Sequence, residues 1–264
     1  MRVNAKHGFA PPAFEAGLPI LVARTRQLGL AASVINDCTH FSALSPEAEA
    51  LTSVGLAGLA LCPRHSAVAP AGGTRPLFGA NPMAFGWPPS GEFPYVFDFA
   101  TSVAARGEIE LHRRAGEPIP EGWAVDTEGQ PTTDPELALA GAMLPFGGHK
   151  GSAISTMIEL LGGALIGYLT SVEALRVLGT TTLLPRHGEL ILAFNPERFA
   201  AGRSGGPQER AEALFDAILG QDARLPSQRR FSARARSEVE GVGLTAAELE
   251  QLDRFGRLGL DAVT

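Results

Sequence analysis

Apolar positions along the chain fall into short runs separated by amphipathic stretches. Residues 13–30 carry apolar side chains at loosely helical spacing, which predicts a helix ending near Gly29. Ala31–Ile35 and Gly58–Cys62 are short apolar runs that predict buried strands. Between them, Ser45-Pro46-Glu47 offers an N-cap and a first-turn proline for a helix reaching about Val54. Tyr95–Phe99, Glu108–His112 and Glu189–Phe194 predict further strands, and Asp134-Pro135 opens a short helix through about Ala142. The clearest helix covers 151–167, where Ile154, Ile158, Leu161 and Leu165 fall on one face. Glu209–Leu219 predicts an amphipathic helix, and Thr245 with Glu248 forms a capping box for a last helix to about Leu258. Pro63–Pro89, rich in Pro, Gly and Ala, reads as loops. Strands and helices do not alternate regularly, so the pattern predicts an α+β fold and not a doubly wound sheet.

Composition narrows the classes. The chain of 264 residues is 45% hydrophobic and 19% charged, which is globular and long enough for a sizeable core. A net charge of −6 provides no electrostatic grip on nucleic acid or anionic membranes. No apolar run reaches the length of a membrane span, and the start has no apolar leader segment, so the expected location is the cytoplasm. Cys38 and Cys62 lack a paired spacing and read as buried thiols. The six histidines show no metal-ligand spacing, so no metal is expected.

Four motifs carry candidate chemistry. All but two of the 22 basic residues are arginine, and one exception, Lys150, stands in Pro145-Phe146-Gly147-Gly148-His149-Lys150-Gly151 directly before the clearest helix. A lysine there opposes the helix dipole unless an anion sits between it and the first helical amides. A phosphate or a carboxylate suits that place; a solvated loop lysine is the plain alternative. His40 follows a strand and precedes a capped helix, a position suited to proton transfer, although a satisfied or exposed histidine is the commoner case. Asp98 ends a strand, where an acid faces a ligand or caps a turn. Asn81-Pro82 signals a turn and nothing more. The G-x-G-x-x-A match at 241–246 follows charged residues and has no later strand, so it is rejected as a dinucleotide fingerprint.

Taken together, HGFAPPAF (7–14), THFSALSPEAE (39–49), RPLFGANPMAFGWP (75–88), DFATSVAARGEIE (98–110), PEGWAVDTEGQPTTDP (120–135) and LPFGGHKGSAIS (144–155) resemble the malate/L-lactate dehydrogenase-like oxidoreductases. GGHKGSAIS and THFSALSPEAE are similar to the branch that reduces Δ1-piperideine-2-carboxylate and Δ1-pyrroline-2-carboxylate. The resemblance implies a non-Rossmann fold, with a mostly antiparallel cofactor-binding sheet flanked by helices (63–221) and a smaller helical or mixed lobe (1–62 with 222–264). It implies a homodimer that uses NADPH, with NADH the alternative, on a small carboxylate-bearing substrate. Carried over by position, Lys150, Gly151, Asp98, Phe99, Ala100, Ser66, Arg229 and Arg230 are cofactor candidates. His40 becomes the catalytic proton-transfer candidate, Glu108 the acid that orients a catalytic histidine, and His149 a substrate contact. Members also carry an N-terminal Ser-His-Gly segment, which the resemblance places ahead of Met1. Two alternatives follow: an NAD-dependent 2-hydroxy acid dehydrogenase acting on malate, lactate or ureidoglycolate, and a non-catalytic dimerising remnant.

Overall fold

The computed structural model describes residues 1–39, 43–89, 91–181, 184 and 186–259, and the chain divides into two compact units, Met1–Ala223 and Arg224–Thr264. In chain order the first unit carries β1 (Arg2–Asn4), α1 (Ala10–Leu28), β2 (Leu30–Thr39), α2 (Ser45–Thr52), β3 (Ala57–Leu61), β4 (Met83–Trp87) and β5 (Tyr95–Phe99). It continues with α3 (Arg106–Ala115), β6 (Ala124–Val125), β7 (Pro131–Thr132), α4 (Pro135–Ala140), β8 (Ala142–Met143) and α5 (His149–Glu159). α6 (Ser171–Leu178), β9 (Arg186–Phe194), α7 (Pro196–Phe199) and α8 (Pro207–Leu219) complete it. The second unit holds α9 (Gln228–Glu240) and α10 (Ala246–Leu258).

The main sheet has the order β1-β2-β9-β3-β4-β5, and every strand pair except β1–β2 is antiparallel. Strands on both sides of residue 62 are hydrogen-bonded into this one sheet. β9 threads between β2 and β3, so those two strands and β5 end at the same edge of the sheet. Its almost unbroken apolar run, Leu190 to Phe194, is what a central strand covered on both faces requires. A three-stranded sheet, β7-β6-β8, packs with α3 and α4 around Val68, Phe78, Ile109, Ile119 and Met143.

Small residues let α2 lie close on one face. Gly58 and Gly86 pair across β3 and β4, and a Cβ at Gly58 would stand 2.5 Å from Leu51 Cδ1. α1 covers the same face through Ala10, Phe14, Gly17, Leu21 and Thr25, residues spaced three or four apart. On the opposite face Ile158 of α5 packs with Leu61, Ile166 and Leu190. A π turn, Leu160–Ala164, follows α5 and adds a residue to the helical ladder. That extra residue rotates the face, so Leu165 is 68% exposed although Ile154, Ile158 and Leu161 meet the core as their spacing predicts.

Two further expectations change. Glu108–His112 is not a strand but the middle of helix α3, closed by Gly116 in the left-handed conformation. The Pro- and Gly-rich stretch contains a core strand, β4. Two capping readings correspond to bonded geometry: Asp134 Oδ1 accepts from Glu136 N at 2.8 Å, and Thr245 Oγ1 accepts from Glu248 N at 3.3 Å. The third does not, since Ser45 is the first residue of α2 and the cap position is Leu44, with no side-chain bond.

Glu189 on β9 and Glu47 on α2 are both buried. Burial first, then the charge of Glu47, pushes the Glu189 carboxyl well above its ordinary value of 4.5. The folded chain therefore binds a proton that the unfolded chain has released above that ordinary value, and stability falls as pH rises. Glu189→Gln keeps the shape and removes this titration. Urea midpoints measured between pH 6 and 9 are expected to decline less steeply in the variant than in the parent. Parallel slopes would mean that Glu189 is already ionised when folded.

Candidate active site

The candidate site lies where β2, β3 and β5 end and β9 begins, the edge at which ligands meet strands that run the same way. One side of it is the glycine loop before α5. Gly147 and Gly148 have φ of 55° and 59°, and nothing lies within 4 Å of a Cβ added at Gly148. Both positions need glycine for their backbone conformation, and the space at Gly148 is open. Gly151 is constrained otherwise: its N–H donates to Phe146 O at 3.1 Å, and a Cβ there would stand 2.3 Å from that oxygen. Lys150 N donates to Gly147 O at 3.3 Å. Loop carbonyls thus take two of the first amides of α5, and the exposed Lys150 ammonium is what this turn offers an anion.

The segment after β5 runs beside this loop. Phe146 N donates to Thr101 O at 3.0 Å, and Ser102 bridges Pro145. The Phe99 ring meets Phe146 edge-on at 5.7 Å and stacks on Phe97. Asp98, one residue earlier, points to the other face, where its carboxylate accepts from Ser45 N at 2.7 Å. It therefore supplies the N-terminal cap that α2 lacks from its own Leu44. The period-two alternation of a strand separates these two neighbours.

Beneath the loop lies a polar hub that the sequence did not announce. Asn81, fully buried with φ of 36°, accepts from Arg64 N at 3.0 Å, and its amide oxygen lies 3.2 Å from Ser171 Oγ. Its amide donates to Glu159 Oε1 at 2.7 Å. Glu159 also accepts from Ser171 N at 2.8 Å and from Ser171 Oγ. Thr101 Oγ1 and Ser155 Oγ, 2.6 Å apart, tie α5 to the end of β5. Ser66, in the segment after β3, joins through its amide, which donates to Ser171 O at 3.2 Å.

The other side is cationic. Arg64 and His65 follow β3, and Arg106 opens α3. Burial, then the guanidiniums of Arg106 and Arg64, pull His65 down to about 4, so it is uncharged near neutral pH. His187, fully buried on β9, lies with Nε2 3.3 Å from Arg64 Nη1 and Nδ1 3.1 Å from Gly188 O. Cys38 Sγ donates to His187 O at 3.1 Å, and burial raises its thiol, so it is held as a thiol.

The structure thus brings Phe99, Ala100, His149, Lys150 and Gly151 to one region, with Ser66 connected through the hub. Glu108 is exposed on α3, and its side chain has no hydrogen-bond partner among the described residues. Arg229 and Arg230 belong to α9 in the second unit, where the Arg230 guanidinium lies 5.6 Å from the Phe231 ring centre. His40 lies outside the described residues. An apolar cleft of about 890 Å³, lined by Phe85, Trp87, Tyr95, Phe194 and Phe215, sits at the opposite end of the strands. Among the described residues, no helix is long and apolar enough to cross a membrane and no cluster of His, Cys, Asp or Glu could hold a metal ion.

Known proteins resemble this arrangement along the whole chain. A family model for malate/L-lactate dehydrogenase matches residues 1–253. Δ1-pyrroline-2-carboxylate reductase of Agrobacterium fabrum is 71% identical over the full chain, which spans 76% of that relative. An NADP(+) (2R)-3-sulfolactate dehydrogenase of Chromohalobacter salexigens is 43% identical, over 97% of this chain and 75% of its own length. The crystal structure of Δ1-piperideine-2-carboxylate reductase from Pseudomonas syringae pvar. tomato superposes with a TM-score of 0.89 at 40% identity, covering 95% of this chain and 75% of that one.

Proposed function

We propose, from the premise that this chain belongs to the malate/L-lactate dehydrogenase family, that it reduces a cyclic imino acid, Δ1-pyrroline-2-carboxylate or Δ1-piperideine-2-carboxylate, with NADPH. The observation that carries this reading is the 71% identity, over every residue of this chain, to a reductase named for the first of those substrates. The family resemblance further supports a homodimer in the cytoplasm. The NADP(+) in the name of the sulfolactate relative favours NADPH over NADH.

The residues present fit a nucleotide. Open space over Gly148 and an exposed ammonium at Lys150 would receive its phosphates, and the Phe99–Phe146 pair offers an aromatic wall. A bound nicotinamide supplies a hydride for the imine carbon. The chain does the rest. The cationic end of β3 holds the carboxylate, and His40 is assigned the proton for the ring nitrogen. Adding hydride at carbon and a proton at nitrogen converts the C=N bond to an amine and leaves the cyclic amino acid.

Lys150→Ala removes a charge-assisted contact and is expected to weaken NADPH binding by about 1–3 kcal/mol. Titration followed by nicotinamide fluorescence measures this. An unchanged dissociation constant would take Lys150 out of the site.

A further inference from the structure

We infer that Arg64, Arg106 and His65 form a carboxylate clamp at the end of β3, and that buried His187 positions Arg64 within it. The inference rests on the imino acid reading and names the groups that recognise the acid. A carbonyl oxygen only accepts, so the contact of His187 with Gly188 O puts the proton on Nδ1. A guanidinium only donates, so Nε2 is left to accept from Arg64 Nη1 at 3.3 Å. Both contacts are satisfied by a single neutral tautomer. Cys38, bonded to the His187 carbonyl, and the β2–β9 pairing of Cys38 with His187 fix the ring's strand. The imidazole therefore orients Arg64 without neutralising it. The Asn81 amide oxygen fixes the same residue from its backbone.

Arg106 reaches the region from α3, and its own hydrogen bonds go to neutral oxygens, Leu139 O and Thr181 Oγ1, both at 3.1 Å. His65 follows Arg64 directly in the chain, feels the charge of both guanidiniums, and has its Nδ1 buried and without a hydrogen-bond partner. Two guanidiniums held by hydrogen bonds, with a buried, partnerless imidazole nitrogen beside Arg64 in the chain, suit a planar oxyanion, since guanidinium forks match carboxylate geometry.

The test compares pyrrole-2-carboxylate with its neutral carboxamide, titrated onto the NADPH-loaded protein. The parent is expected to prefer the acid by roughly tenfold or more. Arg64→Met should erase that preference, Arg64→Lys should restore part of it, and the NADPH dissociation constant should stay within about twofold in both. His187→Gln should retain the preference, because its amide can still accept from Arg64, and His187→Leu should lower it. Thermal unfolding of each variant shows whether it is folded, and the Arg64 pair carries the test if His187→Leu is not. An acid preference that survives Arg64→Met overturns the clamp. A tenfold loss of NADPH affinity in Arg64→Met also overturns it, by assigning the arginine to a cofactor phosphate. Failure of the parent to turn over cyclic imines, with the acid preference intact, sinks the imino acid reading and leaves the clamp standing.

Discussion

Asn81→Leu is expected to destabilise the protein by about 3–5 kcal/mol, the scale set by orphaned buried polar groups and broken charged networks. The side chain serves three partners at once, Arg64 N, Glu159 and, at 3.4 Å, Ser155 O, and lies against Ser171 Oγ. Leucine satisfies none of them and leaves the Glu159 carboxylate without its amide donor. A branched side chain is also strained at φ of 36°, which asparagine tolerates. Urea unfolding checks the expectation. A loss below about 1 kcal/mol would show that water or a shifted serine replaces the amide, and the hub would be a minor feature. Because Asn81 holds the Arg64 backbone, the variant should also weaken binding of an acidic ligand when folded at low temperature.

Gly151→Ala is the second large effect. The new methyl would stand 2.3 Å from Phe146 O and 3.0 Å from Phe146 N, both backbone atoms that cannot swing aside. Overpacking of this kind costs about 1–3 kcal/mol. The loop must move to relieve it, and that loop carries the glycines and the lysine assigned to the nucleotide. NADPH affinity is therefore expected to fall more than in Lys150→Ala, which removes one contact and leaves the turn intact. Equal or tighter binding in Gly151→Ala would separate the loop from the cofactor.

The legible parts of this fold are those written locally. Helices opened by Asp134 and Thr245 were readable because a capping side chain reaches amides only two or three residues away. The face of α5 was readable up to Leu161 and failed at Leu165, because a π turn leaves no mark in hydrophobic spacing. Glu108–His112 alternates polar and apolar over five residues, which suits a strand or a helix equally. Gly116 as a C-cap was the available signal for helix α3. β4 hid among prolines, although Pro82 and Pro88 bound an apolar run of strand length.

The site divides in the same way. The glycine loop and Lys150 stood out in the chain because lysine is rare in it and precedes a helix. The Asn81 hub did not, since its partners Glu159 and Ser171 lie 78 and 90 residues away. Asp98 was read as a ligand contact or a turn acid, and its bond to Ser45 N gives the second role a structural basis. Arg64, His65, Arg106 and His187 were passed over because nothing in their spacing relates them. The folding of β9 between β2 and β3 brings His187 to Arg64.

The most direct measurement is the rate of NADPH oxidation by the purified chain with Δ1-pyrroline-2-carboxylate, set beside the rates with pyruvate and oxaloacetate. Imine-dependent oxidation that exceeds both keto acids at least tenfold, with the cyclic amino acid as product, is the expected result. Faster turnover of a keto acid, or tight NADPH binding with no imine reduction at any concentration, would contradict it.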